Sequence, residues 1–306
     1  MEKTGVDLVT VLGHTAAGKT AFAAQLASRL GGEIISADSR QVYRGMDIGT
    51  GKDYDDYLVN DERIPAHLID ILDAGYEYNV YLFKQDFYRV YTDITDRELV
   101  PVLCGGSGLY LESVLRNYQL IQVPLNTELR EELENKNSQE LEEILKLHGP
   151  LHNVTDTSNR KRIIRAIEIA IYQSALPEDP LEERVLIPLV LGIKYDRLIR
   201  RKRITERLKS RLNNGMVEEV ESLIQQGVSA EKLDYYGLEY RYLSRYILKE
   251  FSYEEMFVKL NTAIHQFAKR QMTYFRGMER RGVEIHWLEG ELSTEEKLEK
   301  ALALFI

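Results

Sequence analysis

The residues whose types and spacing most clearly predict chemistry lie near the start of the chain, at 13–20, with the sequence GHTAAGKT. They match G-x-x-x-x-G-K-[ST] at every fixed position, between an apolar run at 8–12 and a helix-forming stretch. In that context, backbone N–H groups and the helix N-terminus surround phosphate oxygens, the lysine adds positive charge, and the last hydroxyl reaches a bound Mg²⁺. The alternative is a glycine turn before an ordinary helix. We predict that phosphates of a nucleotide or of another pyrophosphate compound are bound by Gly13, Thr15, Ala16, Ala17, Gly18, Lys19 and Thr20, with Thr20 at the metal.

The elements that must position this loop follow a repeating order of strand and helix. Apolar strand candidates lie at 8–12, 33–37, 67–72, 100–104 and 185–193, and helical stretches lie near 20–30, 80–95 and 109–115. This alternation predicts an α/β fold with a parallel sheet that helices cover on both faces. Ligands bind such sheets at the carboxyl ends of the strands. Gly13, Asp38 and Gly105 each follow a candidate strand, so we expect them to share one edge of the sheet.

Two further residues at that edge could take part in chemistry. The carboxylate of Asp38 could bind Mg²⁺ or act as a base, although an aspartate here could equally cap a helix. Ser107 stands among three glycines at 105, 106 and 108, and glycines let the backbone approach a ligand closely. The alternative is a tight turn from strand to helix. A second glycine-rich loop at 45–52 is weak evidence by itself.

The composition is that of a globular protein, with 306 residues of which 44% are hydrophobic and 29% are charged. No apolar run approaches the roughly 20 residues of a membrane span. The first residues lack the apolar core of a signal peptide, so we expect a cytoplasmic location. The single cysteine, Cys104, excludes an internal disulfide and a multi-cysteine zinc site, and we expect it to be a small buried residue.

The net charge of −9 argues against a protein that coats nucleic acid without selectivity. Basic residues nevertheless cluster in three segments, at 160–165, 197–211 and 269–281. Three basic patches on an acidic protein indicate a directed site for a polyanion. The alternative for each patch is a solvated helix face.

The pattern of the chain changes between the fourth and fifth strand candidates. Residues 128–147 are charged and helix-forming, and 162–171 place Ile163, Ile164, Ile167 and Ile171 on one helical face. The proline-containing exit at 176–180 reads as a linker. We therefore predict a phosphate-loop α/β core formed by 1–125 and 181–306, with a helical C-terminal part, and a helical insertion domain at 126–180.

Several motifs occur in an order that is typical of one family. After the phosphate loop come DSRQVYRGMDIGT at 38–50 and GGSGLY at 105–110. Further matches are RIIRAIE at 162–168, Arg203 and Ile204 with Arg207, GMVEEV at 215–220 and FAKRQMTYFR at 267–276. From about residue 8 to residue 288 the chain therefore resembles tRNA dimethylallyltransferase, also called tRNA isopentenyltransferase. The run at 38–50 is far more specific than the phosphate loop.

The resemblance implies transfer of a dimethylallyl group from its diphosphate to the exocyclic amine of the adenosine directly 3′ of the anticodon, with Mg²⁺ as cofactor. By position it implies that Asp38 is the general base, that Ser107 lies near the reacting centre, and that Lys19 and Arg207 bind the diphosphate. The implied tRNA contacts are Asp38, Ser39, Arg40, Gln41, Lys161, Arg162, Ile163, Ile164 and Arg165. The expected partners are the tRNA anticodon stem-loop and dimethylallyl diphosphate, with no membrane, and we expect a monomer.

The chain departs from the family pattern at several positions, and two other functions stay open. Ser107 replaces the usual threonine, His14 and Ala17 replace a common proline and serine, and Glu239 stands where glycine is usual. One rival function is prenylation of free AMP, ADP or ATP, which would need neither the insertion nor the basic patches. The other is a phosphate-loop kinase or regulatory NTPase, which nucleotide-base recognition and nucleotide hydrolysis would distinguish.

Overall fold

A computed structural model describes residues 5–148, 159–174 and 185–305. The chain divides into two compact units, Met1–Tyr118 with Val185–Ile306, and Gln119–Arg184. Each unit has a hydrophobic core of its own. The linker predicted at 176–180 lies outside the described residues.

Strands and helices follow one another along the chain. The first unit opens with β1 Leu8–Gly13, α1 Lys19–Leu30, β2 Gly32–Ala37, a 3₁₀ turn Tyr54–Tyr57, β3 Leu58–Val59, β4 Glu62–Arg63, β5 Ala66–His67, α2 Val80–Asp96, β6 Val100–Gly105 and α3 Gly108–Leu115. The second unit contains α4 Thr127–Glu134, α5 Ser138–Leu147 and α6 Arg160–Ser174. The first unit then resumes with β7 Pro188–Lys194, α7 Arg197–Asn213, α8 Met216–Gln225, α9 Ala230–Tyr236, α10 Leu238–Ile247, α11 Tyr253–Arg280, β8 His286–Glu289 and α12 Thr294–Phe305.

A six-stranded sheet forms the centre of the first unit, in the order β5-β2-β6-β1-β7-β8, and every neighbouring pair is parallel. Successive side chains of β1 enter opposite cores, as the period of two residues requires. Leu8 and Leu12 pack with α2, α3 and the helices α7 to α11. Val9 and Val11 pack with α1 and α12. The predicted parallel α/β sheet with both faces covered is therefore confirmed.

One predicted strand is largely wrong, because the strand expected at 67–72 ends at His67. Leu68 and Asp70 have φ angles of 62° and 54°, in the left-handed region and outside the β region that a regular strand needs. The left-handed conformation of these two residues could not be predicted from their types. The short antiparallel pair β3–β4, just before β5, was also not predicted.

The part of the chain after β7 is mostly helical, as predicted. Its longest helix, α11, has 28 residues and begins with a capping box, in which Ser252 accepts from the Glu255 N–H while the Glu255 carboxylate accepts from the Ser252 N–H. Neither α11 nor another helix in the described segments is long and apolar enough to cross a membrane.

In the described part of the second unit, three helices pack around a small apolar core. The single helical stretch predicted at 128–147 is in fact two helices, since α4 ends at Glu134 and Asn137 caps α5 in a capping box with Glu140. The apolar stripe predicted on α6 is confirmed, since Ile163, Ile164 and Ile167 face this core.

Candidate active site

The loop between β1 and α1 has the backbone geometry that an anion site needs. Gly18 has φ 76° at the N-cap of α1, a left-handed conformation that favours glycine. A Cβ at Gly13 would lie 2.7 Å from the Ile193 carbonyl oxygen, so a side chain does not fit there. α1 has no side-chain cap and no acidic residue in its first turn. The helix N-terminus is therefore available to an anion.

Lys19 brings its ammonium back over the loop, where it donates to the His14 carbonyl oxygen at 2.9 Å. Burial of the ammonium lowers the pKa of Lys19 to about 8, and the nearby Arg207 lowers it further while Asp38 raises it. The charges of Lys19, Arg207 and Asp38 are therefore close enough to influence one another. An anion bound there would raise the pKa of Lys19 again.

A row of arginines on α7, at intervals of four residues, runs from the phosphate loop to Asp53. Arg203 donates through Nε to the Ala16 carbonyl oxygen at 3.1 Å, Arg207 donates to the Thr15 hydroxyl, and Arg211 pairs with Asp53 at 3.0 Å. Burial lowers the pKa of Arg207 to about 10, and Arg211 adds to that effect. The basic segment predicted at 197–211 is therefore not merely a solvated face, because one side of it lines the phosphate loop.

Asp38 follows β2 in a turn, and no helix begins there, so the helix-cap interpretation is wrong. One carboxylate oxygen accepts the Arg40 N–H at 2.9 Å. The other makes no hydrogen bond with the described part of the chain. Asp38 follows β2 and the phosphate loop follows β1 at the same edge of the sheet, and the charge of Asp38 acts to raise the pKa values of Lys19 and Arg207. A carboxylate with one free oxygen next to an anion site could accept a proton from a reacting group.

The glycine-rich turn after β6 meets the Asp38 turn directly. Ser107 accepts the Ser39 N–H at 3.2 Å through its hydroxyl. A Cβ at Gly105 would lie 2.3 Å from the Ala37 carbonyl oxygen, so only glycine allows this approach. The structure thus brings together the three strand ends that were expected to share an edge.

The two residues after Ser39 have different surroundings. Gln41 is buried, and its amide donates to the Gly51 carbonyl oxygen at 2.9 Å, which fixes the turn. Arg40 stacks its guanidinium over the ring of Tyr235, 4.7 Å from the ring centroid, and Tyr235 is 37% exposed. Of these two contacts, only the stack of Arg40 on Tyr235 is exposed to a large ligand.

The RNA contacts predicted in the second unit need one correction. The side chains of Ile163 and Ile164 are buried in its core, so they cannot contact RNA. Arg165 already uses part of its guanidinium within the unit, because it donates to Glu168 at 2.9 Å and to the Val123 carbonyl oxygen at 2.6 Å. Lys161 and Arg162 are exposed on α6.

Sequence reasoning missed Gln271 of α11, which is 8% exposed. Its carbonyl oxygen accepts the Thr15 N–H at 2.8 Å, and its amide nitrogen donates to the Gly106 carbonyl oxygen at 2.9 Å. The available signal was a polar residue within an apolar helical stripe that includes Ala268 and Phe275. Its partners are far away in the sequence and could not be inferred.

Cys104 is buried at the end of β6, and burial raises the pKa of its thiol to about 12. A protonated thiol is a poor nucleophile. The expectation of a small buried residue is therefore confirmed.

The chain is similar to a known protein family, to characterised sequences and to solved structures. A family model described as IPP transferase matches residues 41–278. tRNA dimethylallyltransferase 1 of Parabacteroides distasonis is 56% identical over 292 residues, which cover 95% of each chain. The crystal structure of tRNA delta(2)-isopentenylpyrophosphate transferase from Staphylococcus epidermidis is similar with a TM-score of 0.69, at 32% identity and 97% coverage of both chains. The full-length tRNA isopentenylpyrophosphate transferase from Bacillus halodurans has a TM-score of 0.69 at 29% identity, over 97% of this chain and 98% of its own.

The lowered pKa of Lys19 makes anion binding depend on pH. Below about pH 8 the ammonium is charged, and above it the charge is lost, so affinity for inorganic diphosphate should fall as the pH rises. The ligand also titrates, and Lys19→Met serves as the control for that. By calorimetry, the ratio of wild-type to variant association constants should fall roughly tenfold between about pH 7.5 and pH 9. A ratio that does not change with pH would place Lys19 away from the anion.

Proposed function

The chain belongs to the IPP transferase family, and from that premise we propose that it transfers a dimethylallyl group from dimethylallyl diphosphate to tRNA. The acceptor is the exocyclic amine of the adenosine directly 3′ of the anticodon, and the products are N6-isopentenyladenosine and diphosphate. The observation that carries the proposal is the position of the Asp38 carboxylate at the same sheet edge as a phosphate loop lined by arginines. A phosphate loop alone would suit many enzymes.

The phosphate loop binds the donor diphosphate in this proposal. The ligands are the loop residues, above all Lys19, together with Arg207. When the bond between C1 of the dimethylallyl group and the diphosphate oxygen breaks, its electron pair stays on the diphosphate. Fixed cations and N–H groups stabilise that growing charge, and in many enzymes such electrostatic stabilisation accelerates the reaction more than any other effect.

Mg²⁺ is the proposed cofactor, and the residues at the start of α1 fit it. The Thr20 hydroxyl makes no hydrogen bond with the residues that the structure describes. These residues contain no cluster of three metal-binding side chains. That is compatible with Mg²⁺, which keeps several waters and is held by one or two protein ligands plus substrate phosphates. The ion would supply further positive charge to the leaving diphosphate.

Asp38 is the proposed general base. The amine nitrogen attacks C1, and one of its protons passes to the carboxylate. An exocyclic adenine amine is a weak nucleophile, so orientation and proton acceptance by a carboxylate both help. Ser107 supports this arrangement, because its hydroxyl holds the Ser39 N–H next to Asp38.

The acceptor adenosine must leave its base stack to reach this carboxylate. In the proposal the turn of Asp38, Ser39 and Arg40 receives it, and the buried Gln41 fixes that turn. The Arg40–Tyr235 stack supports this role, since single-stranded bases stack on aromatic rings and on guanidinium planes. The second unit is the proposed insertion that follows the RNA backbone. The cytoplasmic location and monomeric state stay predictions.

The experiment that tests this function supplies radiolabelled dimethylallyl diphosphate and unmodified tRNA, with AMP and ATP as competing acceptors. Label should enter the tRNA and appear in N6-isopentenyladenosine after digestion. A matched tRNA with guanosine 3′ of the anticodon should stay unlabelled. Label in AMP or ATP would favour the free-nucleotide enzyme, and ATP hydrolysis without prenyl transfer would contradict the proposal.

The second unit should contribute phosphate contacts through Lys161 and Arg162, which are exposed. The double substitution Lys161→Ala/Arg162→Ala should weaken tRNA binding and reduce its salt slope by about 1.5, at ~0.7–0.9 per lost contact. Donor binding should be unchanged.

The matched control removes the same charge elsewhere in the unit, from the turn between α4 and α5 and from α5, with Lys136→Ala/Lys146→Ala. Salt titrations of tRNA binding compare both variants with the wild type. If the Lys161 and Arg162 variant gives a slope that superimposes on the wild type, the exposed face of α6 has no RNA role.

A further inference from the structure

Gln271 is a buried polar residue on the apolar face of α11. Its neighbours along the same face, Ala268, Met272 and Phe275, are buried apolar residues of the larger core. Placing an amide in such a stripe costs free energy unless each polar atom has a partner. Both polar atoms of Gln271 do have partners, and both partners are backbone groups of loops at the candidate active site.

The two partners belong to opposite halves of that site. The carbonyl oxygen of Gln271 accepts the Thr15 N–H at 2.8 Å, in the phosphate loop. Its amide nitrogen donates to the Gly106 carbonyl oxygen at 2.9 Å, in the turn that follows β6. One planar amide group therefore spans the gap between the two loops.

Each of these loops carries a group that the proposed reaction uses. The hydroxyl of Thr15 accepts from Arg207, on the donor side. Gly106 is followed by Ser107, whose hydroxyl holds the Ser39 N–H beside Asp38 on the acceptor side. A Cβ at Gly106 would lie 2.5 Å from the Gln271 amide nitrogen, so the bridge also requires glycine at that position.

We propose that Gln271 is a positioning residue that sets the distance between the diphosphate site and the acceptor site. The inference rests on the proposed prenyl transfer. A side-chain amide of fixed length keeps the two loops at one distance. C1 of the donor then meets the attacking amine nitrogen in line. A misplacement of about 1 Å can cost roughly 10²-fold in rate.

A competing reaction distinguishes a positioning role of Gln271 from a role in the stability of the fold alone. If the amine is misaligned, water can attack C1 instead, and the C1–O bond still breaks with its electron pair on the diphosphate. The products are then a dimethylallyl alcohol, diphosphate and a proton. Loss of the bridge should therefore uncouple diphosphate release from prenyl transfer.

The test compares Gln271→Met, which keeps the length but removes both hydrogen bonds, with Met272→Leu at the next position of the helix. For Gln271→Met, kcat should fall roughly 10- to 100-fold with little change in the KM of either substrate. Diphosphate released per prenyl group transferred should rise from one to roughly two or more. Met272→Leu should keep a ratio of one. A Gln271→Met enzyme that loses thermal stability but keeps kcat and the ratio would overturn the proposal.

Gln271→Glu adds a pH readout that a structural role would not give. The carboxylate can accept the Thr15 N–H but repels the Gly106 carbonyl oxygen, whereas the protonated acid can donate to it and restore the bridge. The ratio of variant to wild-type kcat should therefore rise as the pH is lowered. A ratio that does not respond to pH would contradict the bridge.

Hydrogen exchange tests the Gln271 bridge independently of the proposed function. Gln271→Met should accelerate exchange of the Thr15 amide without any substrate, and unchanged exchange would refute the bridge. If the wild type prenylates no tRNA while this exchange difference is present, the proposed function fails and the bridge between the loops stands.

Discussion

The close meeting of three parallel strand ends is the constraint on which the rest of the site depends. β6 lies between β1 and β2 in the sheet. Neighbouring strands are about 4.8 Å apart, so the ends of β1 and β2 are separated by about 10 Å. That distance suits a donor diphosphate at one strand end and an acceptor base at the other. The turn after β6 fills the gap, and it fits only because Gly105 lacks a side chain.

The charges of the site are arranged for an anion. Lys19 and Arg207 are both partly buried cations near each other, and both have lowered pKa values. Burial disfavours each charge, and a bound diphosphate would reverse that penalty. Glu239 adds an acid to this environment. Burial raises its pKa, while Arg211 and Arg207 act in the opposite direction. The residue that replaces the family's usual glycine therefore lies within electrostatic range of Arg207 and Arg211.

Much of this fold could be predicted because its signals are local. The phosphate-loop pattern and the alternation of apolar strands with helices predicted the sheet and its shared edge. β5 was predicted too long because the left-handed backbone at Leu68 and Asp70 has no signature in residue type. The interpretation of Asp38 could not be decided from the sequence, since a cap and a base share one residue type. Gln271 was missed because its partners lie 256 and 165 residues away. The buried side chains of Ile163 and Ile164 show that a motif match does not separate packing from contact.

The central claim is that the Asp38 carboxylate performs proton transfer at a site distinct from the phosphate loop. The most direct measurement is single-turnover prenyl transfer by Asp38→Asn, together with the dissociation constant of dimethylallyl diphosphate. The amide keeps the shape but is not basic, so the rate should fall roughly 10²–10⁴-fold. Donor affinity should be nearly unchanged, because the carboxylate is not a diphosphate ligand. A variant that transfers the prenyl group at close to the wild-type rate would contradict the account.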